Sequence, residues 1–335
     1  MKKVAVLGAT GLVGRTFVKL LAGHPWFKVE ELVASERSAG KKYGELVEDS
    51  PEEFRDFVVV SLNEFLENPN VDMVFNALPA SISREVEEKL AEEIPVFTNA
   101  RAHRYDEDVP ILVPEVNKEH LEIIKIQQRN RGWKGFIVTN PNCSTAILTV
   151  SLAAIREFGI RKVRVATMQA ISGAGFSGLS AFAIHDNVIP FISGEEWKIE
   201  NESRKILGRI SGDKIEPATF DISAIATRVP VIHGHTEAVF VELERGSVEE
   251  IREAFESFDP LKELSLPSYA KPIVYSEVPQ PRLHRDRGRG LTVTVGRLEE
   301  INGGIKYVVL GHNLVRGAAG GSVLNAELAY KLGYL

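Results

Sequence analysis

The chain has 335 residues, 44% hydrophobic and 26% charged, a balance that excludes a largely disordered protein and leaves room for two ordinary domains or one large one. Lys and Arg total 40 against 46 Asp and Glu, a net charge of −6, which argues against nucleic acid as the main partner. The single cysteine, Cys143, excludes an internal disulfide and a cysteine-rich metal site, and no apolar stretch reaches the ~18 residues of a membrane span.

Lys3–Leu7 reads as a strand, Leu12–Leu21 as a helix and Val29–Ala34 as a second strand. The apolar run behind Lys2 and Lys3 is too short for a signal-peptide core, so a cytoplasmic location is expected. Phe57–Val60, Val71–Leu78, Val96–Thr98 and Phe136–Thr139 follow as strands, with helical periodicity over Arg84–Glu93 and Lys118–Arg129. Strands alternating with helices predict an α/β fold whose N-terminal domain is Rossmann-like, a parallel sheet covered on both faces. After Cys143 the pattern changes. A helix over Thr145–Arg156 leads into longer strands at Lys162–Ala170, Ser223–Val231, Glu237–Glu244, Leu291–Leu298 and Ile305–Gly311. Ser247–Ser257 and Gly317–Leu332 read as helices. This half is expected to be α+β, with a mixed or antiparallel sheet.

Gly8-Ala9-Thr10-Gly11-Leu12-Val13-Gly14 sits at the first strand-to-helix junction. Glycines there let the backbone turn tightly and approach a pyrophosphate, while the free N–H groups and dipole of the new helix face the ligand. Such a turn also occurs for packing alone, but its place after one apolar strand favours a dinucleotide. Past the second strand the chain reads Ser35-Glu36-Arg37-Ser38-Ala39-Gly40-Lys41-Lys42. An acid there takes a ribose 2′-hydroxyl. Here hydroxyls and cations surround the lone Glu36, so NADP is favoured over NAD. Asn140-Pro141-Asn142-Cys143-Ser144-Thr145 places the thiol at the N-terminus of an apolar helix, where dipole and unpaired N–H groups are expected to lower its pKa. A lone cysteine is most often inert; this junction favours a nucleophile.

Gly8–Gly14, Asn140–Thr145, Gln169-Ala170-Ile171-Ser172-Gly173-Ala174-Gly175 and Arg228–His235 together resemble the aspartate-semialdehyde dehydrogenases over nearly the whole chain. Asn313–Gly321 resembles their archaeal and fungal branch. The resemblance implies NADPH-dependent reduction of β-aspartyl phosphate to aspartate semialdehyde and phosphate, on the path to lysine, threonine and methionine. It implies that Cys143 forms an acyl-thioester, and that His235 takes the thiol proton and later protonates the thiohemiacetal oxygen. It assigns Arg228 to the substrate carboxylate, Gln169 to orienting the substrate and Glu195 to its amine. Arg104, Lys198 and Asn142 fall to the phosphate, with Arg101 a close competitor of Arg104. Glu195 and Lys198, three apart on a helix, would share one face. Cofactor contacts fall to Gly8, Thr10, Gly11, Leu12, Val13, Gly14, Ser35, Arg37, Ser38, Ser172, Gly173 and Asn313.

His233 and His235 would share a strand face, but with no third ligand nearby no metal is expected. His233 reads simply as a hydrogen-bonded polar residue. The division implied is a cofactor-binding domain of residues 1–142 with 313–335, and a catalytic and dimerisation domain of residues 143–312. A homodimer or homotetramer is expected. Rival readings are an acyl-CoA reductase of malonyl-CoA type, an N-acetyl-glutamyl-phosphate reductase, and a non-catalytic NADP sensor. The Asn142 and Ser144 flanking the thiol favour the acyl-phosphate enzyme, and the presence of Cys143, Gln169, Arg228 and His235 together disfavours the sensor.

Overall fold

The computed structural model describes every residue from Met1 to Leu335. Strand β1 (Lys2–Leu7) turns through the glycine loop into α1 (Leu12–Leu21), which buries Phe17, Val18 and Leu21. Next come β2 (Phe27–Ala34), β3 (Val60–Ser61), β4 (Met73–Asn76), α2 (Ala80–Ala91), β5 (Val96–Thr98), α3 (Ile124–Arg131) and β6 (Ile137–Thr139). The six strands pair in parallel in the order β3-β2-β1-β4-β5-β6. Val4 to Leu7 and all of β4 are buried on both faces, which is why these strands read as unbroken apolar runs. Strand order reverses between β1 and β4, and a crevice opens at the carboxyl ends of the strands on either side of that point.

The second half is built from α4 (Cys143–Ala154), β7 (Ile160–Gln169), α5 (Glu195–Ile206), a hairpin of β8 (Arg209–Ser211) and β9 (Lys214–Glu216), and β10 (Asp221–Arg228). It continues with β11 (His235–Leu243), α6 (Val248–Ser257), β12 (Ile273–Tyr275), β13 (Val293–Ile301) and β14 (Gly304–Gly311), and the chain ends in α7 (Ala319–Lys331). The sheet order is β10-β7-β11-β14-β13-β12, with β10–β7 and β12–β13 parallel and the other pairs antiparallel. Its strands alternate, as a sheet with one buried face requires. On β7, Val163, Val165, Thr167 and Gln169 are buried while Arg164 and Ala166 are exposed. Helix α4 is apolar around its circumference and lies against this core, sharing it through Ile147, Leu148 and Val150. Helix α7 returns to the first core, where Val323, Leu324 and Leu328 pack with Phe17 and Val18 of α1. No helix is long and apolar enough to cross a membrane.

Several boundaries differ from expectation for local reasons. Only Val60–Ser61 of the expected strand at 57–60 joins the sheet. Phe57, Val58 and Val59 instead pair with Lys41–Tyr43, and the Val59 carbonyl accepts from Gly40. The expected helix at 118–129 begins as a 3₁₀ segment, Lys118–Ile123, before α3 ends at left-handed Gly132. The strand expected over Ser223–Val231 stops at Arg228, ahead of Pro230. The β8–β9 hairpin and three-residue β12 carry too short a pattern to read.

Candidate active site

Asn142 caps α4: its Oδ1 accepts the Ser144 and Thr145 N–H groups at 3.0 and 3.3 Å. Cys143 is therefore the first residue of a rigidly held helix. His235 opens β11, in register with the end of β7, and its Nε2 lies 3.0 Å from the Cys143 Sγ. The Ala170 N–H donates to His235 Nδ1 at 3.0 Å. A backbone N–H can only donate, so Nδ1 is the acceptor and the proton of the neutral ring stands on Nε2, facing the sulfur. The neutral ring thus offers the sulfur a hydrogen bond from Nε2 but has no lone pair there to take the thiol proton, which corrects the expectation that His235 receives it.

The thiol corrects one expectation. Burial, with the negative charge of Glu195, pushes the Cys143 pKa up to about 12, against the pull of Arg228, the Ser144 N–H and Arg104. The dipole of α4 does not win, although Cys143 keeps partial solvent access. Burial, seconded by the Arg228 and His312 charges, lowers His235 to about 3, so the ring is neutral. The pair at rest is thiol and imidazole, not thiolate and imidazolium.

Around the pair the other assigned side chains converge. Gln169 ends β7 and donates to Glu195 Oε2 at 3.2 Å, while Asn142 Nδ2 donates to the same oxygen at 2.7 Å. Lys198 Nζ donates to Glu195 Oε1 at 2.6 Å, the one-turn pairing expected on α5. Burial acts to raise the Glu195 pKa, but the Lys198 charge and these hydrogen bonds outweigh it and keep the carboxylate ionised. Arg228 ends β10 with Nη1 donating to the Ala170 carbonyl at 2.7 Å, which leaves the rest of its fork unpaired within the chain. A Cβ at Gly173 would stand 2.7 Å from that same Nη1, so a side chain there would displace the guanidinium.

Two cavities meet at the sulfur. One, about 460 Å³, is lined by Cys143, Gly173, Glu195, Lys198 and Arg228. The other, about 320 Å³, runs from Arg101, Arg104, Asn142 and Lys198 past Cys143 to Leu12, Val13, Ser172 and Asn313. Arg104 is buried and braced, Nη1 on Glu202 at 3.0 Å and Nη2 on the Asn99 carbonyl at 2.8 Å, with Nε buried and unpartnered. Arg101 is exposed and its side chain makes no hydrogen bond or ion pair within the chain; both arginines line this wall. Asn142 has spent its oxygen on capping and one donor on Glu195.

The glycine loop fits a dinucleotide. Gly8 is left-handed (φ 75°) with Ala77 O 2.7 Å from where a Cβ would be, and a Cβ on Gly14 would fall 2.0 Å from Gly8 O. The first amides of α1, at Leu12 and Val13, have no backbone acceptor and face the cavity. Thr10 turns its carbonyl to Arg15 Nε at 2.8 Å. Ser35, Arg37 and Ser38 lie beyond the end of β2, beside the loop but off the cavity wall. Glu36 is drawn to Asn63 at 3.1 Å, leaving the exposed Arg37 without an acidic partner. Ser172 Oγ bridges His233 Nδ1 and Asn313 Nδ2, each at 2.9 Å, and Asn313 Oδ1 accepts the Gly234 N–H at 2.9 Å. His233 therefore lies in the loop ahead of β11, hydrogen-bonded as anticipated, and does not share a strand face with His235.

A family model described as semialdehyde dehydrogenase, NAD binding domain, matches residues 3–124, and one described as semialdehyde dehydrogenase, dimerisation domain, matches residues 152–316. An aspartate-semialdehyde dehydrogenase of Archaeoglobus fulgidus is 53% identical over 98% of each chain. The chain belongs to the aspartate-semialdehyde dehydrogenase family. The crystal structure of the Candida albicans aspartate semialdehyde dehydrogenase with NADP superposes with a TM-score of 0.88 at 38% identity, covering 100% of both chains. A malonyl CoA reductase (NADP) of Metallosphaera sedula is also similar, 39% identical over 99% of this chain and 98% of that one.

Two residues of this site escaped the sequence reading. Gly317 packs on Cys143, where a Cβ would lie 2.6 Å from that of the cysteine. Its only signal is a place within a glycine- and alanine-rich run. Glu202 is fully buried beneath Arg104. Its signal was available: it stands two turns beyond Glu195 on the same helix face.

Proposed function

We propose that Cys143, His235 and the side chains around them carry out the NADP-dependent, reversible conversion of L-aspartyl-4-phosphate to L-aspartate 4-semialdehyde and phosphate. The observation that carries the residue roles is the 3.0 Å contact between Cys143 Sγ and His235 Nε2 where two cavities meet. Arg228 and Glu195 line one of them, a cation and an anion suited to the α-carboxylate and α-amine of an amino acid. Arg104, Lys198 and Asn142 line the other, a donor set suited to phosphate, with Arg101 as a further cation at its mouth.

Sγ bonds to the acyl carbon and the carbon–oxygen bond to phosphate breaks. The thiol proton leaves with phosphate as the monohydrogen dianion, so charge balances. The Nε2–H of His235 supports the sulfur as its charge develops, and then the oxygen of the thiohemiacetal. Gln169 holds Glu195 in place. When bound, NADPH would supply the hydride that reduces the thioester; the carbon–sulfur bond then breaks to release the semialdehyde, and one proton from solvent restores the Cys143 thiol. Gly8, Thr10, Gly11, Leu12, Val13 and Gly14 would seat its pyrophosphate, Ser35, Arg37 and Ser38 its 2′-phosphate, and Ser172, Gly173 and Asn313 its nicotinamide end.

We assign residues 1–142 and 313–335 to cofactor binding and 143–312 to catalysis and dimerisation, because α7 packs on α1. A cytoplasmic location is expected, and a homodimer or homotetramer is in keeping with the matched dimerisation-domain model and with the exposed Ile225 and Phe240 on the outer face of the second sheet. The test follows NADPH formation at 340 nm from aspartate semialdehyde and NADP, with and without inorganic phosphate. Phosphate-dependent formation, abolished by Cys143→Ser, is expected. Its absence, with NADPH oxidation by malonyl-CoA in its place, would overturn the reading.

A further inference from the structure

The carboxylate of Glu202 lies off the walls of both cavities at the sulfur, yet it touches both halves of the phosphate end of the site. It is 0% exposed. Oε1 accepts Arg104 Nη1 and the Tyr105 hydroxyl, each at 3.0 Å, and Oε2 accepts the Asn142 backbone N–H at 2.6 Å. Arg104 and Tyr105 lie in the loop after β5, and Asn142 lies in the turn after β6, one residue before the nucleophile. A side chain of the second half thus ties together two loops of the first.

We propose that Glu202 is a positioning residue that fixes the phosphate-binding guanidinium relative to the nucleophile, so that anion binding and thiol placement depend on one buried carboxylate. This rests on the assignment of Arg104 to phosphate. A charge removed from water this fully stands only because three donors meet it, and hydrogen bonds to an ionised acceptor are short and directional. With Nη1 on Glu202 and Nη2 on the Asn99 carbonyl, the Arg104 fork has one orientation, and each of these nitrogens keeps a second N–H for an incoming oxygen. Glu202 repels phosphate itself, so it acts through Arg104 and the Asn142 backbone rather than as a ligand. Lys205, three residues on, secures the same loop by donating to the Arg104, Asp106 and Val109 carbonyls at 2.8, 2.7 and 2.8 Å. Helix α5 therefore presents Glu195 and Lys198 to the cleft, and Glu202 and Lys205 to the loop that bears the arginine.

The test is Glu202→Gln in the full-length enzyme, assayed with aspartate semialdehyde, NADP and inorganic phosphate. Gln keeps the shape but turns a donor toward groups that themselves donate. The phosphate KM is expected to rise about tenfold, the scale of one hydrogen bond to a charged group. The KM values for semialdehyde and NADP should stay within about twofold of wild type. A second readout is alkylation of Cys143 by iodoacetamide, which inorganic phosphate should slow in the wild type and no longer slow in the variant. An equal rise in all three KM values, or an unchanged phosphate KM with protection intact, would overturn the proposal. If Glu202→Gln does not fold, Glu202→Asp, which withdraws the charge by one methylene, is read by the same criteria. A wild-type enzyme indifferent to phosphate would instead sink the underlying functional reading.

Discussion

At the scale of single residues, the protonation of Cys143 is decided by competing magnitudes. The start of a helix favours a thiolate by about 1 kcal/mol, short of the ~1.4 kcal/mol that moves a pKa by one. Burial carries the thiol from an ordinary 9.0 up to about 12, so the dipole by itself cannot undo it. A prediction follows for the free enzyme. Cys143 alkylation by iodoacetamide should keep rising with pH beyond 9, because the thiol holds its proton through neutrality. A plateau reached below pH 8 would show that the helix terminus and the cations prevail after all.

At the scale of elements, the two ends of the cofactor cleft are built differently. The glycine loop is dictated by backbone geometry, since Gly8 and Gly14 leave no volume for a side chain. The turn after β2 is dictated by charge. Glu36 is held by Asn63 while Arg37 stays exposed, so the acid that would favour NAD is engaged and the cation that favours NADP is free. Replacing Arg37 by Ala should raise the KM for NADP about tenfold while leaving that for NAD nearly unchanged. Equal changes for both would remove Arg37 from the 2′-phosphate. Helix α4 shows the same economy at its start, where the Asn142 side chain caps the helix through one atom and holds Glu195 through the other.

For the whole molecule, the site lies where two separately cored halves meet. One core packs α1 and α7 on the parallel sheet, and the other packs α4 and α6 on the mixed sheet. Neutral histidines buried at that seam tie stability to pH. His235 is lowered to about 3 and His312 to about 4, both chiefly by burial. An unfolded chain protonates these rings near pH 6.5, so between about pH 4 and 6.5 it binds more protons than the folded one, and stability rises with pH across that window. The melting temperature should therefore fall as pH drops from 6.5 toward 4, and less steeply in His235→Gln. An equal slope in wild type and variant would mean that His235 is not held neutral.

Local pattern alone determined the parallel sheet, the glycine loop, the thiol at the head of α4 and the nearness of Glu195 to Lys198. Each of these is written in a short period or a short motif: apolar runs for strands buried on two faces, Asn-Pro-Asn-Cys for a capped turn, one helical turn for an ion pair. Tertiary structure decided what depends on residues far apart in the chain. The Ala170 N–H chooses the tautomer of His235, sixty-five positions away. Burial from every side reverses the titration of Cys143. Glu202 was visible as one more acid on a helix, and only the approach of the loops after β5 and β6 makes it the anchor of Arg104 and Asn142. Desolvation and long-range hydrogen bonding belong to the packed molecule, and no local spacing encodes them.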